Sequence, residues 1–156
     1  MNVTWFDMVK LMFVSALPII ELRGGLPVAA ASGIHPVAAY FLCVIGNMLP
    51  VPFIILLWSK VFNLFKRGKF KELLEKIQAK ADEKKEKVLK YEKWGLYIFV
   101  ALPLPGTGAW TGALIAATLE MKLKDAFPVI LAGVLTAGVI MTIVSYGGAA
   151  ILTSIF

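Results

Sequence analysis

A chain of 156 residues that is 59% hydrophobic, with a mean hydropathy of +0.80, lies well above the roughly 45–50% apolar content of soluble domains, so a water-soluble globule is excluded. The net charge of +6 is concentrated, because residues 66–93 alone hold 11 Lys/Arg against 6 Asp/Glu. That pattern is a topology and lipid-headgroup signal and argues against nucleic acid as a partner. Cys43 is the only cysteine, which excludes an intrachain disulfide and a Cys-based metal site; no cofactor is implied.

In chain order, the start lacks the positively charged opening of a secretory signal, and the N-terminus is read as part of the mature protein. Residues 3–15 predict a short helix anchored by Trp5, Met8, Met12 and Phe13. At ~20 Å it falls short of a ~30 Å hydrocarbon core and is expected at the interface. Residues 16–33 contain Pro18, Glu21, Arg23, Gly24, Gly25 and Pro27. A straight spanning helix tolerates that combination poorly, so a re-entrant hairpin is predicted. Residues 36–65 predict a spanning helix that starts at Pro36 and kinks near Pro50 and Pro52. The charged stretch 66–93 reads as a helix outside the membrane, with Glu72/Lys76, Glu83/Lys87 and Glu86/Lys90 as favourable i,i+4 pairs. Residues 95–119 predict a second re-entrant segment, and 126–154 a second span starting near Pro128.

The repetition of Ala-Leu-Pro carries the most information. Ala16-Leu17-Pro18 opens the first broken segment and Ala101-Leu102-Pro103 opens the second. Paired Pro/Gly-interrupted segments at matching places in two halves point to a binding site between them. The expected fold is therefore an all-α integral membrane protein forming one domain. Its plan is an inverted repeat, each half a re-entrant helical hairpin plus a spanning helix, with one charged extramembrane helix between the halves. The positive-inside bias places 66–93 in the cytoplasm and both termini outside, in a multi-pass protein of the cell membrane.

An ionisable residue at membrane depth is a functional hypothesis by default, since its burial costs at least ~2.5–3.5 kcal/mol. That singles out Glu21 and Arg23, which can face one cavity from a turn beside Gly24 and Gly25; the competing reading is an ion pair that pins the hairpin. The second phrase, from Pro103 through Pro105, Gly106, Thr107, Gly108 and Trp110 to Thr111 and Gly112, presents successive backbone N–H groups to an anion at a helix N-terminus. Thr107 and Thr111 add hydroxyls, and Trp110 can wall the site; the bland alternative is a helix-breaking turn. If the two tips meet, Arg23 and the Thr107 loop converge on one anionic group, and Glu21 is placed to carry a proton. Asn47 is expected to hydrogen-bond between helices. No metal site is expected.

These two phrases, Glu21 to Pro27 and Pro103 to Gly112, resemble the small multidrug export family, and with the helix pattern the resemblance covers nearly the whole chain. That family is in turn distantly similar to the DedA/VTT membrane proteins. The resemblance implies two opposed re-entrant hairpins and a role in lipid-phosphate recycling, lipid scrambling or drug tolerance linked to the proton-motive force. DedA proteins carry arginines around the second Pro-Gly, where this chain has Thr107, Ala109 and Trp110.

The expected function is a proton-linked transporter of an amphiphilic substrate such as a lipid phosphate, with Glu21 as the proton-coupling carboxylate. The alternatives are an exporter of cationic amphiphiles held by Glu21, and a non-transporting scaffold that binds anionic lipid through 66–93. An enzyme is the least favoured class. Membrane lipids are the expected partners, and the small size of the chain leaves room for a homodimer.

Overall fold

Seven helices account for most of the described residues of the computed structural model, which describes residues 4–65, 85–104 and 106–155. They are α1 (Trp5–Ala16), α2 (Glu21–Ala31), α3 (Pro36–Met48), α4 (Pro50–Phe65), α5 (Lys85–Ala101), α6 (Ala109–Thr118) and α7 (Leu123–Ile155). No strand occurs among the described residues. Pro105 and residues 66–84, which hold most of the predicted charged helix, lie outside them; its final part, 85–93, continues into α5.

Two stretches are long and apolar enough to cross a membrane, Pro36–Leu57 with 22 residues and Leu123–Gly148 with 26. The first is interrupted at Leu49, between α3 and α4. Pro50 has no N–H for the Gly46 carbonyl, and Pro52 has none for Met48. The second span starts at Leu123, before the predicted Ala126, and takes Pro128 into its second turn. Helices α2 and α6 have 11 and 10 residues. At 1.5 Å per residue each reaches about 15 Å, half of a ~30 Å core.

The two spans run antiparallel. Tyr146 Oη donates to the Ile34 carbonyl at 2.7 Å and Tyr40 Oη to the Leu135 carbonyl at 3.1 Å, so the end of α7 lies beside the start of α3. Outside the spans, the Thr4 backbone N–H and hydroxyl both donate to Asp7 at the start of α1, at 2.9 and 2.5 Å. These bonds hold the Asp7 carboxyl below its usual range.

Matching positions of the two halves make matching contacts. Gly25 on α2 packs between Ser15 of α1 and Cys43 of α3; Gly112 on α6 packs between Val100 of α5 and Ile130 of α7. Gly46 lies on the backbone of α1 at Met12, and Gly133 on the backbone of α5 at Tyr97. Both short helices also end alike. Gly33 and Ile34 donate to the Ala30 and Ala29 carbonyls, and Glu120 and Met121 donate to the Ala117 and Ala116 carbonyls. The residue in the left-handed region is Gly33 in one turn and Glu120 in the other.

Close backbone approach of this kind is how membrane helices gain contact without a hydrophobic driving force. At Gly46 a Cβ would meet the Met12 carbonyl oxygen, with its carbon at 3.0 Å and Cα at 3.1 Å. Backbone cannot step aside as a side chain can. Gly46→Ala is therefore expected to cost about 1–3 kcal/mol, read as a lower unfolding temperature in micelles. Gly95→Ala on α5, where a Cβ meets nothing within 4 Å, should be neutral or stabilising.

Candidate functional site at the meeting of the two broken segments

Both Ala-Leu-Pro phrases terminate a helix. Helix α1 ends at Ala16 and α5 at Ala101, because Pro18 and Pro103 cannot supply the next N–H and restrict the residue before them. Each leaves carbonyls at a C-terminus without helical donors. A few residues later a new short helix begins, leaving N–H groups without acceptors. The structure brings the two breaks together, so that each half satisfies the other.

Glu21 opens α2 and is buried at 6% exposure. Its Oε1 accepts the backbone N–H of Trp110 at 3.2 Å, in the first turn of α6. The carboxylate thus caps the N-terminus of a helix from the other half, where the macrodipole favours negative charge. Gly108 is the N-cap residue of α6. A Cβ on Gly108 would fall on the Glu21 carboxylate, so the missing side chain makes the space that the carboxylate fills. Glu21 has a φ of +50°, a left-handed conformation that costs a non-glycine residue on the order of 1–3 kcal/mol and tends to occur at functional sites.

Arg23 reaches the other broken end. Its Nη1 donates to the Leu104 carbonyl and its Nη2 to the Leu102 carbonyl at 2.9 Å and to Thr107 Oγ1 at 2.8 Å. The Thr107 hydroxyl lies 2.6 Å from the Leu102 carbonyl and 2.9 Å from that of Leu104. A planar fork of donors suits such a cluster of carbonyls, and its positive charge sits at the negative end of α5. Gly106, with φ +83°, lets the chain turn between this cluster and α6.

Trp110 completes a reciprocal arrangement. Its indole Nε1–H donates to the Ala16 carbonyl at 3.0 Å, at the C-terminus of α1. Arg23 and Trp110 hold matching positions in the two halves, and each binds carbonyls at or just beyond the C-terminus of the other half's first helix.

The sequence-predicted residues therefore separate. Glu21, Arg23, Thr107, Gly108 and Trp110 converge. Gly24 and Gly25 lie inside α2, where a Cβ would meet Ile20 in one case and Ser15 and Cys43 in the other, so they serve helix packing. Thr111 lies one residue further into α6 and Gly106 in the turn, while Pro105 is outside the described residues. Sequence reasoning missed the acceptors at Ala16, Leu102 and Leu104. They are backbone carbonyls with no residue signature beyond the prolines that free them. Asn47 departs from its expected role, since neither amide atom has a hydrogen-bond partner among the described residues.

A family model described as "Putative small multi-drug export protein" matches residues 21–140, most of the chain and every side chain of this site. No curated protein and no solved structure matches.

Proposed function

This chain belongs to the small multi-drug export family, and we propose that it is a transporter in which an amphiphilic anion exchanges places with the Glu21 carboxylate at the N-terminus of α6. The observation that carries this reading is the hydrogen bond from Trp110 N–H to Glu21 in the space beside Gly108. A helix N-terminus with exposed N–H groups is an anion site, and here the protein's own carboxylate occupies it. An incoming phosphate or carboxylate head competes with Glu21, and protonation of Glu21 removes the competitor. Substrate binding and proton uptake are therefore linked, and the linkage acts equally in both directions.

The matching contacts of the two halves support an inverted repeat, with 16–33 and 95–119 as re-entrant segments entering from opposite faces. The Arg23 and Trp110 attachments then act as two latches, and opening one or the other exposes the site to one side at a time. In this reading residues 66–93 are cytoplasmic and both termini face outward. The protein works as a carrier and not as an enzyme.

The test is binding and transport of an amphiphilic phosphate by protein reconstituted in vesicles. In the wild type, apparent affinity is expected to weaken about tenfold per pH unit once Glu21 is ionised, the slope of one linked proton. In Glu21→Gln it should be independent of pH, and transport should no longer respond to a pH gradient. An unchanged pH response in Glu21→Gln would refute the proposal.

A further inference from the structure

Asn47 is fully buried on the first span, and both its amide oxygen and its amide nitrogen lack a partner among the described residues. A buried primary amide with donor and acceptor both unspent is rare, and it asks what would satisfy it.

Its position in the fold supplies an answer. Helices α2 and α3 are joined by a short turn and run antiparallel, with Gly25 against Cys43, whose Sγ is 3.0 Å from where a Gly25 Cβ would be. One turn back along α2 from Gly25 is Glu21, and one turn forward along α3 from Cys43 is Asn47. Residues four apart share a helix face, and one turn is ~5.4 Å on either helix. Glu21 and Asn47 therefore stand opposite each other at the same level, across an interhelical gap that side chains fill.

We propose that Asn47 is the second hydrogen-bonding position of Glu21, receiving its side chain when the carboxyl is protonated and has left the N-terminus of α6. A carboxylate only accepts hydrogen bonds, which suits the N–H of Trp110. A protonated carboxyl has one O–H donor and one carbonyl acceptor, the complement of a primary amide. A proton from water adds to the carboxylate; the new O–H donates to Asn47 Oδ1, and Asn47 Nδ2–H donates to the Glu21 carbonyl oxygen. Glu21 is thus a two-position switch, and its left-handed backbone sits at the pivot. Asn47 acts through Glu21 as a positioning residue, and its use in transport rests on the reading given above.

The charged and titratable groups around this pair are few. Helix α2 itself carries Arg23, α1 carries Asp7 and Lys10, α3 carries Tyr40 and Cys43, and α7 carries Lys124, Asp125 and Tyr146, while α6 carries none. Tyr40 and Tyr146 are committed to the Leu135 and Ile34 carbonyls, and Asp125 to Lys93.

The test is infrared difference spectroscopy of the full-length protein in lipid, titrated without substrate, on wild type, Asn47→Val and Asn47→Gln. Valine is chosen because Val134 fills the matching position of the second half, so the fold already accepts that side chain there. Glu21→Gln identifies the C=O stretch of protonated Glu21 by removing it. In Asn47→Val that band should move to higher frequency, and its titration midpoint should fall by roughly one pH unit as the protonated form loses its partner. Asn47→Gln should restore part of both. A role for Asn47 in packing alone would leave band and midpoint unchanged in Asn47→Val, and that result would overturn the proposal. Because no substrate is present, the switch can be established even if the transport reading fails, and the converse also holds.

Discussion

Gly108→Ala is expected to expel the Glu21 carboxylate from the end of α6 and to cost about 2–3 kcal/mol. The backbone is not the obstacle, since Gly108 has a φ of 160°, extended geometry open to any residue. Space is the obstacle, because a Cβ would lie on the carboxylate. The carboxylate is the far end of a flexible side chain, so the clash is relieved by moving it. What is then lost is a charge-assisted hydrogen bond, worth about 1.5–3 kcal/mol, together with the favourable dipole interaction. A double-mutant cycle isolates this contact. In a Glu21→Ala background the space beside Gly108 is open, and Gly108→Ala should cost less than about 0.5 kcal/mol, leaving a coupling energy of about 2 kcal/mol. Additive costs in the cycle, measured by unfolding in micelles, would show that Glu21 does not occupy this space in the working protein. In transport assays, Gly108→Ala should also lose the pH dependence of substrate affinity, because the competitor is already displaced.

Arg23→Ala is expected to be the more damaging change, at about 2–5 kcal/mol. The guanidinium meets the Leu102 and Leu104 carbonyls and the Thr107 hydroxyl together. Its removal takes the charged donors from the Leu102 and Leu104 carbonyls, which keep only the neutral Leu104 and Thr107 N–H groups and the Thr107 hydroxyl, and a hydrogen bond to a charged group is worth about 1.5–3 kcal/mol. Arg23→Lys should recover less than half, since a single ammonium cannot reproduce the planar fork. Thr107→Val should cost about 1 kcal/mol, because the arginine keeps both carbonyls. The order Arg23→Ala, Arg23→Lys, Thr107→Val in unfolding temperature checks the geometry. Equal stability of Arg23→Lys and wild type would mean that Arg23 contributes only its charge.

Much of this arrangement is legible in the sequence. A run of apolar residues from Pro36 and another from Ala126 mark the two spans, and Pro18 and Pro103 mark where helices must stop. Glu21 and Arg23 stand out because charge in such a setting is costly. The second Pro/Gly phrase stands out because glycine and proline punctuate backbone. Asn47 was also visible, but as a hydrogen-bonder between helices, and the tertiary structure leaves its amide without a partner among the described residues. The partners of Arg23 and Trp110 were not visible, because every residue has a carbonyl and only packing decides which carbonyls are approached. The role of Gly108 was likewise hidden, since the side chain it makes room for belongs to a residue in the other half of the chain.

The sequence by itself determined the solvent, the helical class and the places where helices break, because hydrophobicity, proline and glycine act locally. Tertiary structure alone decided what the breaks are for. It set Glu21 on the open N-terminus of α6, Arg23 on the open C-terminus of α5 and Trp110 on that of α1. A helix end cannot satisfy its own backbone groups, and in a low-dielectric setting the nearest complementary group from elsewhere in the chain must do so.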